Sequence, residues 1–229
     1  IITYLPKERQ TLMFSATMPP KIRDLAKKTL NNPEQINIAV SKPAEGVLQG
    51  AYLVYNPQKI ELLKEVVKDK DIKSIIIFSS TKDKVKELGK ELSRLKLNAA
   101  AIHSDLDQDE RNDVMRKFKS KATQILVATD ILSRGIDIDS IGLVINYDVP
   151  GDAEDYIHRV GRTARAESTG IALTFINEED QGKFKKIEDL IGSEVKKLPL
   201  PAALGEGPVY DPSKFRKKTF SSPKRFKKR

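Results

Sequence analysis

From residue 50 onward, apolar runs of strand length alternate with longer amphipathic stretches. The runs Ala51–Tyr55, Ser74–Phe78, Ala99–Ile102, Gln124–Ala128, Leu143–Asn146 and Ile171–Phe175 predict strands. Between them, Gln58–Lys68, Lys82–Leu95, Gln108–Phe118, Ala153–Val160 and Glu179–Ile191 carry the helical period. Ser74-Ile75-Ile76-Ile77-Phe78 is nearly continuous and β-branched, as in strands covered on both faces. This alternation predicts an α/β fold: a parallel sheet with helices on both faces, joined by right-handed crossovers. Ligands on such sheets gather at the carboxyl ends of the strands, so the residues just after each apolar run are where a site is expected.

The first forty residues do not share that rhythm. Thr11–Phe14 and Gln35–Ile38 read as strands, and Pro19–Leu30 reads as a helix with proline in its first turn. Two strands and a helix are too few for a sheet domain of their own, so an incomplete α/β remnant of another domain is expected. Ile1 is not an initiator methionine and the pattern opens midway, which suggests a fragment or processed product. Ser41-Lys42-Pro43-Ala44-Glu45-Gly46 has the composition of a linker, and glycine and proline accumulate past Pro199-Leu200-Pro201. The expected division is residues 1–39 as remnant, 40–47 as linker, 48–200 as sheet domain and 201–229 as disordered basic tail.

Charge sharpens that last boundary. Residues 211–229 hold nine lysines and arginines against one acid, Asp211, so nearly all of the chain's net +9 belongs there. Phe215, Phe220 and Phe226 recur among those cations, as in segments that stack bases while neutralising phosphates; a merely solubilising or localising tail is the alternative. The chain has no cysteine, which excludes disulfides and thiolate metal sites, and two histidines without a carboxylate cluster argue against zinc. No run approaches the length of a membrane span, and the N-terminus lacks the form of a signal peptide. A cytoplasmic monomer without a membrane partner or a metal site of its own is expected.

The most informative stretch is His158-Arg159-Val160-Gly161-Arg162-Thr163-Ala164-Arg165. Pro150-Gly151 breaks the chain before it, Asp152 can cap a helix, and Asp155 completes a capping-box-like pattern. His158 and Arg162 share a face if the helix persists, with Gly161 loosening its last turn. Guanidinium groups at a helix end suit a polyphosphate transition state, being permanently charged and able to grip oxygens with two bonds each; one arginine there could merely complement the helix dipole. Further polar clusters follow the apolar runs. They are Ser15-Ala16-Thr17, Ser79-Ser80-Thr81, His103-Ser104-Asp105 with Gln108 and Arg111, Thr129-Asp130 leading to Ser133-Arg134-Gly135-Ile136-Asp137, and Asn146-Tyr147-Asp148. Singly, each could just cap the next helix.

Taken in order, these clusters resemble the C-terminal RecA-like half of DEAD-box ATP-dependent RNA helicases over roughly residues 47–200, with the end of the N-terminal RecA-like half before it. Ser15-Ala16-Thr17 is similar to the motif coupling ATP state to unwinding. Ile75–Ser80 resembles motif IV, His103–Arg111 the adjoining Gln-x-x-Arg motif, Thr129–Asp137 motif V and His158–Arg165 motif VI. The resemblance implies ATP with Mg2+ as cofactors, and RNA and an N-terminal RecA-like domain as partners. It makes Arg162 and Arg165 arginine fingers, and assigns Gly135 and Asp137 to the nucleotide ribose. It makes Ser79, Thr81, Gln108, Arg111 and Thr129 contacts to the RNA backbone, independent of sequence. Ser15, Thr17, Arg134 and His158 become couplers between the two halves.

Each role has a plainer alternative. Asp137 could cap a turn, Gln108 and Arg111 could be solvated, and His103 reads as structural. Ser104 and Ala164 stand where the family usually has glycine. Ser104 alters how closely a phosphate can approach the backbone, whereas the methyl of Ala164 fits a helix. No Gly-x-x-x-x-Gly-Lys-[Ser/Thr] loop and no Asp-Glu-Ala-Asp box occurs, so this chain by itself is expected not to hydrolyse ATP, and magnesium is expected in the absent domain. A non-catalytic RNA-binding module, a protein scaffold and a DNA-directed helicase are the other readings.

Overall fold

The computed structural model describes residues 4–6, 8–15, 18, 20–36, 46–68, 72–130, 141–163 and 170–215. The chain divides into two compact units, Ile1–Lys42 and Pro43–Arg229. In the first, Pro20–Thr29 forms helix α1. Thr11–Phe14, expected as a strand, joins no ladder among the described residues, with Phe14 90% exposed. An isolated extended segment has no neighbour with which to exchange backbone bonds. Gln35 and Ile36 likewise form no strand, and the rest of that expected strand lies outside the described residues.

The second unit is a seven-stranded sheet in which every pairing is parallel. Its strands are β1 (Val47–Leu53), β2 (Ile75–Phe78), β3 (Ala99–Ile102), β4 (Ile125–Ala128), β5 (Leu143–Asn146), β6 (Gly170–Ile176) and β7 (Lys196–Leu198). They lie in the order β3-β4-β2-β5-β6-β1-β7. Its helices are α2 (Lys59–Val66), α3 (Lys82–Arg94), α4 (Gln108–Lys119), α5 (Ala153–Val160) and α6 (Gln181–Ile191).

Successive side chains of a strand point to opposite faces, and the two cores follow from that rule. Ile75, Ile77, Ile125, Val127, Leu143 and Ile145 pack against Leu62 and Leu63 of α2 and Val85, Leu88 and Leu92 of α3. Their neighbours Ile76, Phe78, Leu126, Ala128 and Val144 pack against Phe118 of α4, Tyr156 of α5 and Phe184 and Ile187 of α6. Burial on both faces explains the unbroken apolar runs. Because the sheet is wholly parallel, its strands all present their carboxyl ends along one rim.

The chain does not leave the fold at Pro201. Lys196–Leu198 adds a strand beside β1 that its lysines conceal in the sequence, and the residues after it return over the domain. The Gln58 amide donates to the Leu204 carbonyl (2.7 Å) and the Gln181 amide to that of Val209 (2.8 Å); the Asp211 N–H donates to Gln181 (2.6 Å). Gly207 passes so close to Leu53 that a Cβ there would lie 2.0 Å from its carbonyl oxygen. Glycine here serves close approach rather than an exit from the fold. Buried Glu188 anchors the return, accepting bonds from the Val195 N–H (3.0 Å), the Lys197 ammonium and the Tyr210 hydroxyl (2.8 Å). Lys197 lies 4.3 Å from the Tyr210 ring centroid. Residues 216–229, the strongly basic end, lie outside the described residues.

Removing the Glu188 carboxylate leaves Lys197 and two further donors without their acceptor. Glu188→Ala should therefore cost about 3 kcal/mol, read from urea unfolding, against about 1 kcal/mol for Tyr210→Phe. Equal, small effects would show that the return segment is not anchored there.

Candidate functional site

The clusters flagged in the sequence after β2, β3, β4 and β5 all open on the rim of carboxyl ends. The turns after β2 and β3 lead directly into helix N-termini. Thr81 caps α3, its hydroxyl accepting from the Lys84 N–H (3.3 Å). Asp107 caps α4 in a capping box with Glu110. Thr81 is exposed, and its own O–H proton is still available to donate. Gln108 is exposed in the first turn of α4, holding Asn112 (3.1 Å). Arg111 donates one Nη2 bond to the Ser104 carbonyl (2.9 Å), while its buried Nε has no partner among the described residues. Ser104 thus serves the arginine through its backbone. His103, half-buried beneath, is drawn below the usual imidazole range by burial and then by the charge of Lys86.

Ser79 does not belong with these contacts. Its side chain is buried, its Oγ donates to Asp148 Oδ2 (2.9 Å), and its N–H bonds the Ala128 carbonyl. The strand alternation carries it inward, one residue before the turn opens. Asp148, in the turn after β5, also accepts from the Ser80 N–H (2.9 Å), Lys84 (3.1 Å) and Lys59 (3.4 Å). Burial pulls its carboxyl upward, but the Ser80 amide, the Lys59 charge and the Lys84 bond prevail and hold it well below the usual carboxylate range. Lys59, only 2% exposed, is drawn down by burial more than the carboxylate draws it up, and it also donates to the Tyr147 carbonyl (2.8 Å).

Motif VI divides between two duties. Tyr156, Arg159 and Val160 form the buried stripe of α5. The Arg159 guanidinium grips Asp130 with two bonds (2.6 and 2.7 Å), from Nε and Nη2. Its Nη1 donates to Asn146 Oδ1 (3.1 Å) and to the Asp148 carbonyl (2.9 Å), and its carbon lies 5.1 Å from the Phe78 ring centroid. His158 lies on another face, half-buried, 3.8 Å from Asp155. The helix ends at Val160, so Arg162 belongs to the turn beyond it, half-buried, with its N–H on the Arg159 carbonyl (3.1 Å). Thr163 fastens that turn through its hydroxyl to the Ile141 carbonyl (2.5 Å). Asp152 takes the N-cap position without a side-chain bond, so the expected capping box does not form.

The structure therefore brings Thr81, Gln108, Arg111 and half-buried Thr129 to one rim, and fastens the turn that holds Arg162 to Ile141, just ahead of β5. Ser15 is exposed in the first unit. Thr17, Arg134, Gly135, Asp137 and Arg165 lie outside the described residues, as does Ala164. Sequence reading passed over Lys59, and it singled out Asn146, Asp148 and Arg159 within their clusters without giving them a role. Lys59 had left a signal, since it interrupts an apolar stripe completed by Leu62 and Leu63.

The Asp148 network makes stability depend on pH. Its folded-state pKa lies below the unfolded value near ~4, so the contribution is full above that pH and fades as pH falls toward the folded value. Asp148→Ala, which strands buried Lys59, should cost about 3 kcal/mol at neutral pH. That difference should shrink in urea melts taken toward pH 3; a pH-independent difference would refute the assignment.

Comparison with known proteins agrees with the geometry. Residues 58–167 match the family model of the helicase conserved C-terminal domain. The DEAD-box ATP-dependent RNA helicase CshA of Geobacillus kaustophilus is 39% identical over 202 residues, covering 88% of this chain and 43% of the relative. The ATP-dependent RNA helicase DbpA of Bacillus subtilis is 40% identical over 203 residues, covering 88% and 42%. Among solved structures, Saccharomyces cerevisiae Dbp5 bound to RNA and ADP BeF3 superposes with a TM-score of 0.76 at 30% identity, covering 86% of this chain and 53% of that one. The chain spans less than half the length of these curated relatives. With a parallel sheet carrying the family's turns in the family's order, the chain belongs to the DEAD-box family and contains its RecA-like helicase C-terminal domain.

Proposed function

We propose that the chain is the C-terminal half of an ATP-dependent RNA helicase of the cytoplasm, monomeric, in which ATP binding and hydrolysis drive local unwinding of an RNA duplex. The observation that carries this reading is the clamp of Arg159 on Asp130. It ties the motif VI helix, three residues ahead of Arg162, to the turn that opens motif V. Arg162, with Arg165, stabilises charge on the γ-phosphoryl group held by the N-terminal half; Gly135 and Asp137 receive the ribose. Thr81, Gln108, Arg111 and Thr129 bond RNA phosphates without reading sequence, helped by the N-termini of α3 and α4 at the same rim. Ser79 acts beneath them by holding Asp148. Ser15, Thr17, Arg134 and His158 couple the halves. The Mg2+ ligands are assigned to the phosphate loop and acidic box of the other half. No helix among the described residues is long and apolar enough to cross a membrane.

Closure of the two halves around ATP and RNA is then a population shift, driven by ligands that bind the closed form better. The rival is a non-catalytic RNA-binding module, favoured by the basic stretch past Asp211 and the missing phosphate loop.

In the two-domain protein, Arg162→Ala should lower RNA-stimulated ATP turnover by about a hundredfold or more, with the melting temperature little changed. Unaltered turnover would overturn the finger role. For the 229-residue chain, binding to a labelled RNA single strand should weaken with salt. Removing residues 216–229, which spares the bonds made by residues 201–211, should flatten the slope of log affinity against log salt by about 0.7 for each phosphate no longer neutralised. An unchanged slope would place the phosphate-binding cations on the folded domain.

A further inference from the structure

A groove of about 790 Å³ runs between α3 and β3, the terminal strand of the sheet. Its origin is steric. Gly89 faces Ala101 so closely that a Cβ on the glycine would lie 2.7 Å from the alanine methyl, and the helix sinks onto the strand. What remains beside it is a shallow recess floored by Gly89, Ala99 and Ala101. β3 pairs with β4 alone, so its outer backbone edge receives no strand among the described residues. Along the opposite wall stand Lys86, Lys90 and Arg94, four residues apart and therefore on one face of α3. Among the described residues no carboxylate lines the groove. Lys86 is shared with Asp105 at the mouth, and exposed Arg94 is 3.4 Å from Glu91. Lys90 has no ion pair among the described residues.

We propose that this groove docks an extended acidic peptide, which joins the sheet as a strand beside β3. The three features match one occupant. Cations four residues apart on a helix recur every ~6 Å along its axis. Alternate side chains of an extended strand recur every ~6.6 Å and all point to one face. Glutamates at alternate positions would therefore lay their methylenes on the alanine methyls and set their carboxylates against the cations in turn. The backbone would meanwhile satisfy the open edge of β3. A nucleic acid would use the cations but neither the methyl floor nor the strand edge. The groove is a surface distinct from the RNA contacts assigned above, and the proposal does not depend on them.

The test uses the 229-residue chain and the peptide acetyl-Thr-Glu-Val-Glu-Val-Glu-Thr-amide, followed by amide nuclear magnetic resonance. Shifts should concentrate at residues 86–94 and 99–103, with slowed hydrogen exchange on β3. Affinity should fall at least about tenfold in a Lys90→Glu, Arg94→Glu double variant. Both side chains are exposed, so circular dichroism should match the parent. A peptide with lysine in place of each glutamate should not bind. The proposal fails if millimolar peptide shifts nothing in the groove, if the lysine peptide binds as well, or if a hexauridylate shifts the same residues and the acidic peptide does not.

Discussion

A guanidinium removed from water must find partners for its charge and its donors, and that requirement organises the rim of this domain. Arg159 meets it with the carboxylate of Asp130, the amide oxygen of Asn146, the carbonyl of Asp148 and the face of Phe78. Those partners end or follow β4, β2 and β5, three strands adjacent in the sheet. One side chain thus joins three strand ends to α5. A lysine could carry the charge but not the planar fork that makes two bonds to one carboxylate.

Asp148 extends the same frame to the other side of the sheet. Its carboxylate draws together the entrance to α3, through Ser79, Ser80 and Lys84, and the start of α2, through Lys59. Its backbone carbonyl at the same time receives Arg159. The two helix layers on opposite faces are therefore joined at the rim by polar bonds, where the strand ends leave no room for apolar packing. Exposed Thr81 at the same rim stands just after a turn whose buried residue, Ser79, is bonded to Asp148.

Much of this was legible in the chain. The five helices of the sheet domain and six of its strands lie close to where periodicity put them, since burial on both faces leaves an unbroken apolar signature. β7 was hidden because Lys196 and Lys197 occupy a strand at the edge of the sheet. Thr11–Phe14 has strand composition but no neighbour to pair with among the described residues. The octapeptide grouped its arginines by charge. Helical phase separates them: Arg159 follows Tyr156 on the inward stripe, whereas Arg162 lies past the end of the helix. Ser79 continues the alternation of β2, its N–H still bonding the Ala128 carbonyl, so its hydroxyl turns to Asp148.

The return of residues 201–211 alters where this domain can be cut. A boundary drawn at the proline pair would strip Gln58 and Gln181 of their backbone partners and remove the phenol that closes over Lys197. A piece that keeps these contacts thus extends at least to Asp211, and a chimera or crystallisation fragment trimmed shorter would carry an unsealed flank beside β1.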